Sequence, residues 1–315
     1  MEDKKPLRIV FGEEILRLAP DYDYIVCSAD TKCCAMEHFG EMFPEREVSV
    51  GIAEQNLMGI ASGIASCGNK VLVSTYSIFA TLRACEQIRT YMNYGNLNVM
   101  IMGTHAGLQT GSEGTSHTAI EDIAVLKTMC NMTIIQPSDD VSARVLAKKA
   151  LDFKGPLYVR LPFDVVKDVY TGEAASGIKI GKALMTKNFG RDVSLIATGA
   201  MVHSALQAAN KLCEKGILAQ VLDIHTIKPL DYDAILNTAM ETNAVVTVED
   251  HSIYGGLGGA VAEFLSENYP CYMKRIGIQH LPIRSGDAES LYKLHGMTVD
   301  DIVAAAESVV SKKKD

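Results

Sequence analysis

Val50-Gly51-Ile52-Ala53-Glu54-Gln55-Asn56 sets one acid among small and apolar residues, where a strand gives way to a helix. Ile52, Leu57, Ile60 and Ile64 flank Glu54 on both sides, so the pattern predicts a carboxyl group partly withdrawn from water. Such withdrawal favours the neutral form of a carboxyl group. A neutral acid can donate a hydrogen bond to a ring nitrogen, which a carboxylate cannot do. The alternative is an acid in the first helical turn, stabilised by the helix dipole. On this stretch alone both readings stand open.

Outward from it, short runs rich in Val, Ile and Leu predict buried strands. They lie at Tyr24 to Cys27, Val71 to Thr75, Val99 to Gly103, Thr133 to Gln136 and Leu157 to Leu161. Helical segments alternate with them at Ala53 to Ser66, Phe79 to Met92, Thr118 to Met129 and Asp139 to Phe153, the last capped by Ser138-Asp139. Strands alternating with helices imply a mostly parallel sheet covered on both faces. Asp168 to Ser176 is polar and reads as a linker. A second alternating set follows. Its strands are Val193 to Thr198, Ala219 to Asp223, Ala244 to Glu249 and Lys274 to Ile278. Its helices are Val202 to Lys215, Tyr232 to Glu241, Gly258 to Glu267 and Val299 to Val310, with a frayed tail at Ser311 to Asp315. The expectation is two doubly wound α/β domains, residues 1–167 and 178–315, joined by residues 168–177.

Hydrophobic content of 48% with 22% charged residues is ordinary for a globular chain. A net charge of −8 argues against nucleic acid or an anionic membrane as partner, so a phosphorylated substrate needs locally placed cations. No stretch is apolar enough to span a bilayer. The polar start Met1 to Pro6 lacks a signal-peptide core, which points to the cytoplasm. The eight cysteines fit no zinc pattern and read as reduced thiols, with a redox role for Cys33-Cys34 as the lesser alternative.

Chemistry concentrates after the strands. Tyr76 and Phe79 follow Val71 to Thr75, where α/β folds bind ligands, and could stack on a flat heterocycle, although such pairs are more often plain core. The loop from Gly103 to His117 holds four glycines, His105, His117 and one carboxylate, Glu113. Glycines shape a folded loop, and histidines can move protons near neutral pH. Two histidines framing such a loop favour function over a structural role. Arg160 ends its strand and could clamp a phosphate or form an internal salt bridge.

These pieces fall into a known order. Phe43-Pro44-Glu45-Arg46, Val50 to Asn56, Tyr76 to Phe79, Arg83 to Arg89, Gly103 to Gly107, His117 to Asp122 and Gly155 to Arg160 together resemble the C-terminal half of a transketolase. Val248 to His251 and Gly255 to Gly259 extend the resemblance over essentially the whole chain. It implies a pyrimidine-binding domain followed by a transketolase C-terminal domain, and thiamine diphosphate as cofactor. Glu54 then matches the glutamate that bonds the aminopyrimidine ring nitrogen. Tyr76 and Phe79 match aromatic positions flanking that ring, and Arg83 falls among the cofactor-binding positions. Asp30 matches an aspartate on the thiazolium side. His105 and His117 match histidines near the reacting carbons, and Arg160 a substrate-phosphate arginine. The implied reaction moves a two-carbon ketol unit from a ketose to an aldose, as in pentose phosphate metabolism.

No Gly-Asp-Gly followed by asparagine is present to hold magnesium diphosphate. Magnesium takes oxygen ligands together with phosphate oxygens. The resemblance therefore implies a split enzyme: an N-terminal partner subunit brings the Mg2+ and diphosphate site, with two copies of each subunit. Glu113 stands where transketolases carry aspartate, and Cys34 and Thr31 depart from the pattern after Asp30. These changes bear on the sugar more than on the cofactor. The rival readings are the beta subunit of a 2-oxo acid dehydrogenase, a deoxyxylulose-phosphate-synthase-like enzyme, and a non-catalytic scaffold or regulatory subunit.

Overall fold

The computed structural model describes residues 4–31, 33–172, 174–279 and 282–314. The strands are β1 (Ile25–Ser28), β2 (Glu47–Ser49), β3 (Val71–Tyr76), β4 (Val99–Thr104), β5 (Thr133–Ile135) and β6 (Leu157–Arg160). They continue with β7 (Leu184–Asn188), β8 (Val193–Ala197), β9 (Ala219–Asp223), β10 (Thr226–Lys228), β11 (Ala244–Ser252) and β12 (Tyr272–Ile278). Two α/β units result, each built on a mostly parallel sheet.

The first sheet has seven strands in the order β10-β5-β6-β4-β3-β1-β2. Alternate residues feed two cores. Leu72, Met100 and Met102 pack beneath Leu7–Leu18 and Asp140–Asp152, whereas Val71, Val73, Val99 and Ile101 pack with Leu57, Met58 and Ile88 on the other face. A sheet buried on both faces needs apolar residues at every position, which explains the unbroken strand runs. Asp140–Asp152 starts as expected: Asp139 accepts from Ser142 N at 2.8 Å while Ser142 Oγ accepts from Asp139 N at 2.9 Å.

The second sheet has five strands ordered β12-β11-β8-β9-β7, with β7 antiparallel. Met201–Glu214 and Val299–Lys314 cover one face, and Tyr232–Thr242 and Leu257–Asn268 the other. Among the described residues, no helix is long and apolar enough to cross a membrane.

Among the features that differ from the sequence reading, four bear on how the units are joined and how their helices run. Strand β10 follows the second unit's β9 yet pairs antiparallel with β5 of the first sheet. Residues 168–172 are packed down rather than loose: Tyr170 is buried, its hydroxyl donates to Asp223 at 2.5 Å, and Asp139 accepts the Val169 and Tyr170 amides. Glu173, within the expected linker, lies outside the described residues, as do Met1 to Asp3 and Asp315. The final helix runs on to Lys314, so the tail is helical where fraying was expected. Phe79 to Asn93 is a helix widened by π turns at Phe79–Arg83 and Ile88–Asn93.

Candidate active site

Glu54 opens the helix Glu54–Ser66 after Ala53, which offers no side-chain cap. Gly51, with φ of +70°, lets the chain turn from β2 into that helix. The turn drives Glu54 inward to 1% exposure, while its neighbour Ile52 swings out to 74%. Ile52 therefore gives Glu54 no apolar cover. Arg83 Nη1 donates to Glu54 Oε2 at 2.8 Å, and Oε1 is buried with no partner. The π turn carries the Arg83 guanidinium back over the Phe79 ring, 4.1 Å from its centroid. Such widened turns recur at functional sites.

Tyr76 sits at the carboxyl end of β3, in ring contact with Phe79 and His105. The Tyr76 and Phe79 centroids are 5.6 Å apart and 6° from parallel, and His105 stacks on Tyr76 at 3.7 Å. His117 meets both rings edge-on, at 5.7 Å and 5.2 Å. Thus Tyr76, Phe79, Arg83, His105 and His117 form one cluster beside Glu54. Glu113 joins it through His105 Nε2, 3.6 Å away.

The loop after β4 holds its shape through positive φ at His105, Gly107, Gly111 and Gly114. Thr110 Oγ1 bonds the carbonyls of His105 at 2.7 Å and Gly107 at 3.0 Å, closing the turn. His105 is 3% exposed. Burial, then the charges of Arg8 and His117, pull its pKa down to about 3. An imidazole held there is neutral near pH 7 and able to hydrogen-bond, which runs against the expectation of a proton shuttle at this position. Thr104 Oγ1 lies 2.8 Å from its Nδ1, leaving Nε2 toward Glu113.

Asp30 leaves β1 with φ of 59° and an exposed side chain, outside the contacts of this cluster. The Cys34 side chain is buried in the first core, and Cys33 is 6% exposed.

Arg160 departs most from expectation. It is 1% exposed, with Nε 2.7 Å from Asp122 Oδ2 and Nη2 bonded to Asp122 Oδ1 and the carbonyls of Ala119 and Asp250. Tyr158 adds its hydroxyl to Asp122 at 2.7 Å. The guanidinium is consumed by an internal ion pair, so the structure gives it no face toward a substrate phosphate. Cations nearer the cluster are Arg83 and Arg8. Arg8 Nη1 donates to the Phe163 carbonyl at 2.5 Å, its guanidinium lies 4.5 Å over the Phe163 ring, and that ring is 4.6 Å from His105.

Sequence reasoning passed over Arg8, Asp122, Tyr158 and Asp250. Asp122 and Asp250 lie inside quoted motifs, but nothing in their spacing shows which cation or amide they meet.

Residues 5–166 match the family model for the transketolase pyrimidine-binding domain, and residues 181–302 that for the transketolase C-terminal domain. A provisionally named transketolase C-terminal section from Methanocaldococcus jannaschii is 40% identical over 95% of this chain and 94% of its own length. A 6-deoxy-6-sulfo-D-fructose transketolase subunit from a Clostridium species is 35% identical over 98% of this chain and 95% of its own. A solved split-gene transketolase, described as an inactive beta4 tetramer, superposes with a TM-score of 0.89 at 37% identity, covering 98% of this chain and 99% of that one.

Proposed function

The chain belongs to the transketolase family, and on that premise we propose that it is the C-terminal subunit of a split transketolase, moving a two-carbon ketol unit from a ketose to an aldose. The observation that carries this reading is Glu54 Oε1, a buried carboxyl oxygen with no partner, on an acid that Arg83 links to the Phe79 ring stacked on Tyr76. A buried polar atom left unpaired is costly unless a ligand completes it. A ring nitrogen flanked by aromatic faces is such a ligand, so these residues fit the aminopyrimidine of thiamine diphosphate. When bound, thiamine diphosphate supplies the electron sink that holds the two-carbon fragment.

The chain's own residues would divide the remaining work. Arg83 occupies Oε2, and an arginine only donates, so Oε1 is the oxygen left to face a ring nitrogen. Oε1 would donate a hydrogen bond to that nitrogen, as the resemblance implies. Tyr76 and Phe79 orient the ring, with Arg83 backing Phe79. Asp30 would approach the thiazolium side. Neutral His105, together with His117 and Glu113, would hydrogen-bond substrate oxygens, His117 also passing protons. Arg8 takes the anionic-headgroup role expected of Arg160. Replacing Arg8 by alanine should raise KM about tenfold for phosphorylated sugars and little for neutral ones, by loss of one charge-assisted bond.

A partner chain is proposed to bring the Mg2+ and diphosphate site, in an assembly with two copies of each subunit. The solved relative described as an inactive beta4 tetramer supports self-association without turnover when such a chain stands alone. The Clostridium relative's sulfonated ketose supports an anionic sugar as substrate class. Glu54→Gln in the reconstituted complex tests the reading. Turnover should fall by about 10²–10⁴, the range for losing a positioned acid, and thiamine diphosphate affinity should weaken in a titration without substrate. Full turnover by Glu54→Ala would sink it.

A further inference from the structure

The loop that carries His105, Glu113 and His117 belongs to the first unit, yet the second unit holds it. Leu108 N donates to both carboxylate oxygens of Asp250, at 2.9 Å and 3.1 Å. Tyr292, on the helix Ala288–Leu294, donates its hydroxyl to Asp250 Oδ2 at 2.8 Å. Further along the loop, Thr115 Oγ1 donates to the Ile283 carbonyl at 2.9 Å, and Gly286 N to the Gly111 carbonyl at 3.4 Å. The approach is close: a Cβ on Gly107 would stand 2.3 Å from Asp250 Oδ2, and one on Gly114 would stand 2.3 Å from Ser285 Oγ. Asp250 is itself fixed, because its carbonyl accepts from Arg160 at 3.0 Å.

We propose that Asp250 is a positioning residue for the sugar-recognition loop, and that with Tyr292 it makes the C-terminal domain a determinant of substrate affinity. Asp250 touches none of the cluster around Glu54 and acts through Leu108. Its carboxylate sets where residues 108–113 run, and so where Glu113 stands relative to His105. The inference rests on the transketolase reading for the identity of the substrate, but not for the anchoring.

The test uses Asp250→Ala, Asp250→Asn and Tyr292→Phe. Asparagine keeps an oxygen for Leu108 N, so Asp250→Asn should behave as a rescue of Asp250→Ala. In the isolated chain, amide hydrogen exchange of residues 107–117 should accelerate about tenfold in Asp250→Ala and less in Tyr292→Phe, with Asp250→Asn near wild type and β3 amides unchanged. In the reconstituted complex, KM for the aldose should rise by a similar factor. Thiamine diphosphate affinity should stay within about twofold, and kcat should fall by less than KM rises, since the lost contact acts on the loop rather than on the residues around Glu54. If Asp250→Ala does not fold, Tyr292→Phe decides by the same two readouts. Unchanged exchange in the loop overturns the anchor, and so does an equal loss of cofactor affinity, which would mark a general structural role. If wild type shows no ketol transfer, the proposed reaction fails, and the exchange result still judges the anchor.

Discussion

Glu54 and Asp122 are both acids at 1% exposure facing an arginine, yet their surroundings differ in kind. Asp122 is closed. Its oxygens take Arg160 and Tyr158, the guanidinium is as buried as the acid, and its remaining bonds go to backbone carbonyls. Opposing charges and hydrogen bonds there hold the carboxyl below its ordinary range against the pull of burial. Glu54 is open. Its arginine is 47% exposed, and one carboxyl oxygen has no partner. A closed network has nothing left to offer a ligand; an open one lacks a bond that only a ligand can make. The difference sets an acid whose bonds are all made apart from one that still has an oxygen to offer.

Matched acid-to-amide changes give the sharpest way to break this contrast. Asp122→Asn leaves the Arg160 charge buried without compensation and should cost about 3–5 kcal/mol, read as a lower midpoint in urea unfolding. A loss below about 1 kcal/mol there would mean that the network is not closed in the sense argued.

At His105 the expected effect is a pH dependence, small for each step near neutral pH. Because its folded pKa lies near 3, far below the ordinary 6.5, the unfolded chain binds a proton first as pH falls. The contribution of His105 is therefore complete above about pH 6.5 and declines toward pH 3, by up to about 1.4 kcal/mol per pH unit. Proton NMR of its ring should show no titration between pH 5 and 8; a midpoint near 6.5 would return His105 to the shuttle role.

Smallest of all should be the stability change in Glu54→Gln. The amide oxygen still accepts from Arg83, and a half-exposed pair contributes about 0–1 kcal/mol, so the midpoint should stay close to wild type while thiamine diphosphate affinity drops. A loss as large as that in Asp122→Asn would erase the distinction between the two acids.

The strand and helix alternation was legible because both sheets are covered on both faces, which writes apolar runs such as Val71 to Thr75 directly into the chain. Tyr76, Phe79 and His105 were legible for a related reason: they stand at or just past strand ends, and His117 lies on the loop that leaves β4, so topology gathers them. Arg160 was not. Spacing places a guanidinium at a strand end but does not say whether an acid waits for it, and Asp122 does. Ile52 misled because one positive-φ glycine turns the chain and sends that side chain to solvent. Strand β10 carries too few residues to show a period, and its partner β5 lies some ninety positions earlier. The hold of Asp250 on Leu108 is a carboxylate accepting from a backbone amide across 142 positions, which no local pattern encodes.

Strand β10 also bears on how the chain can be cut. It occupies the outer side of β5, so a fragment ending at residue 167 would lose that neighbour and present a row of unpaired amides and carbonyls to other molecules. The fragment should aggregate even with its own cores intact. Where the polar stretch 168–177 invites a clean excision, the sheet has already stitched the two units together further along.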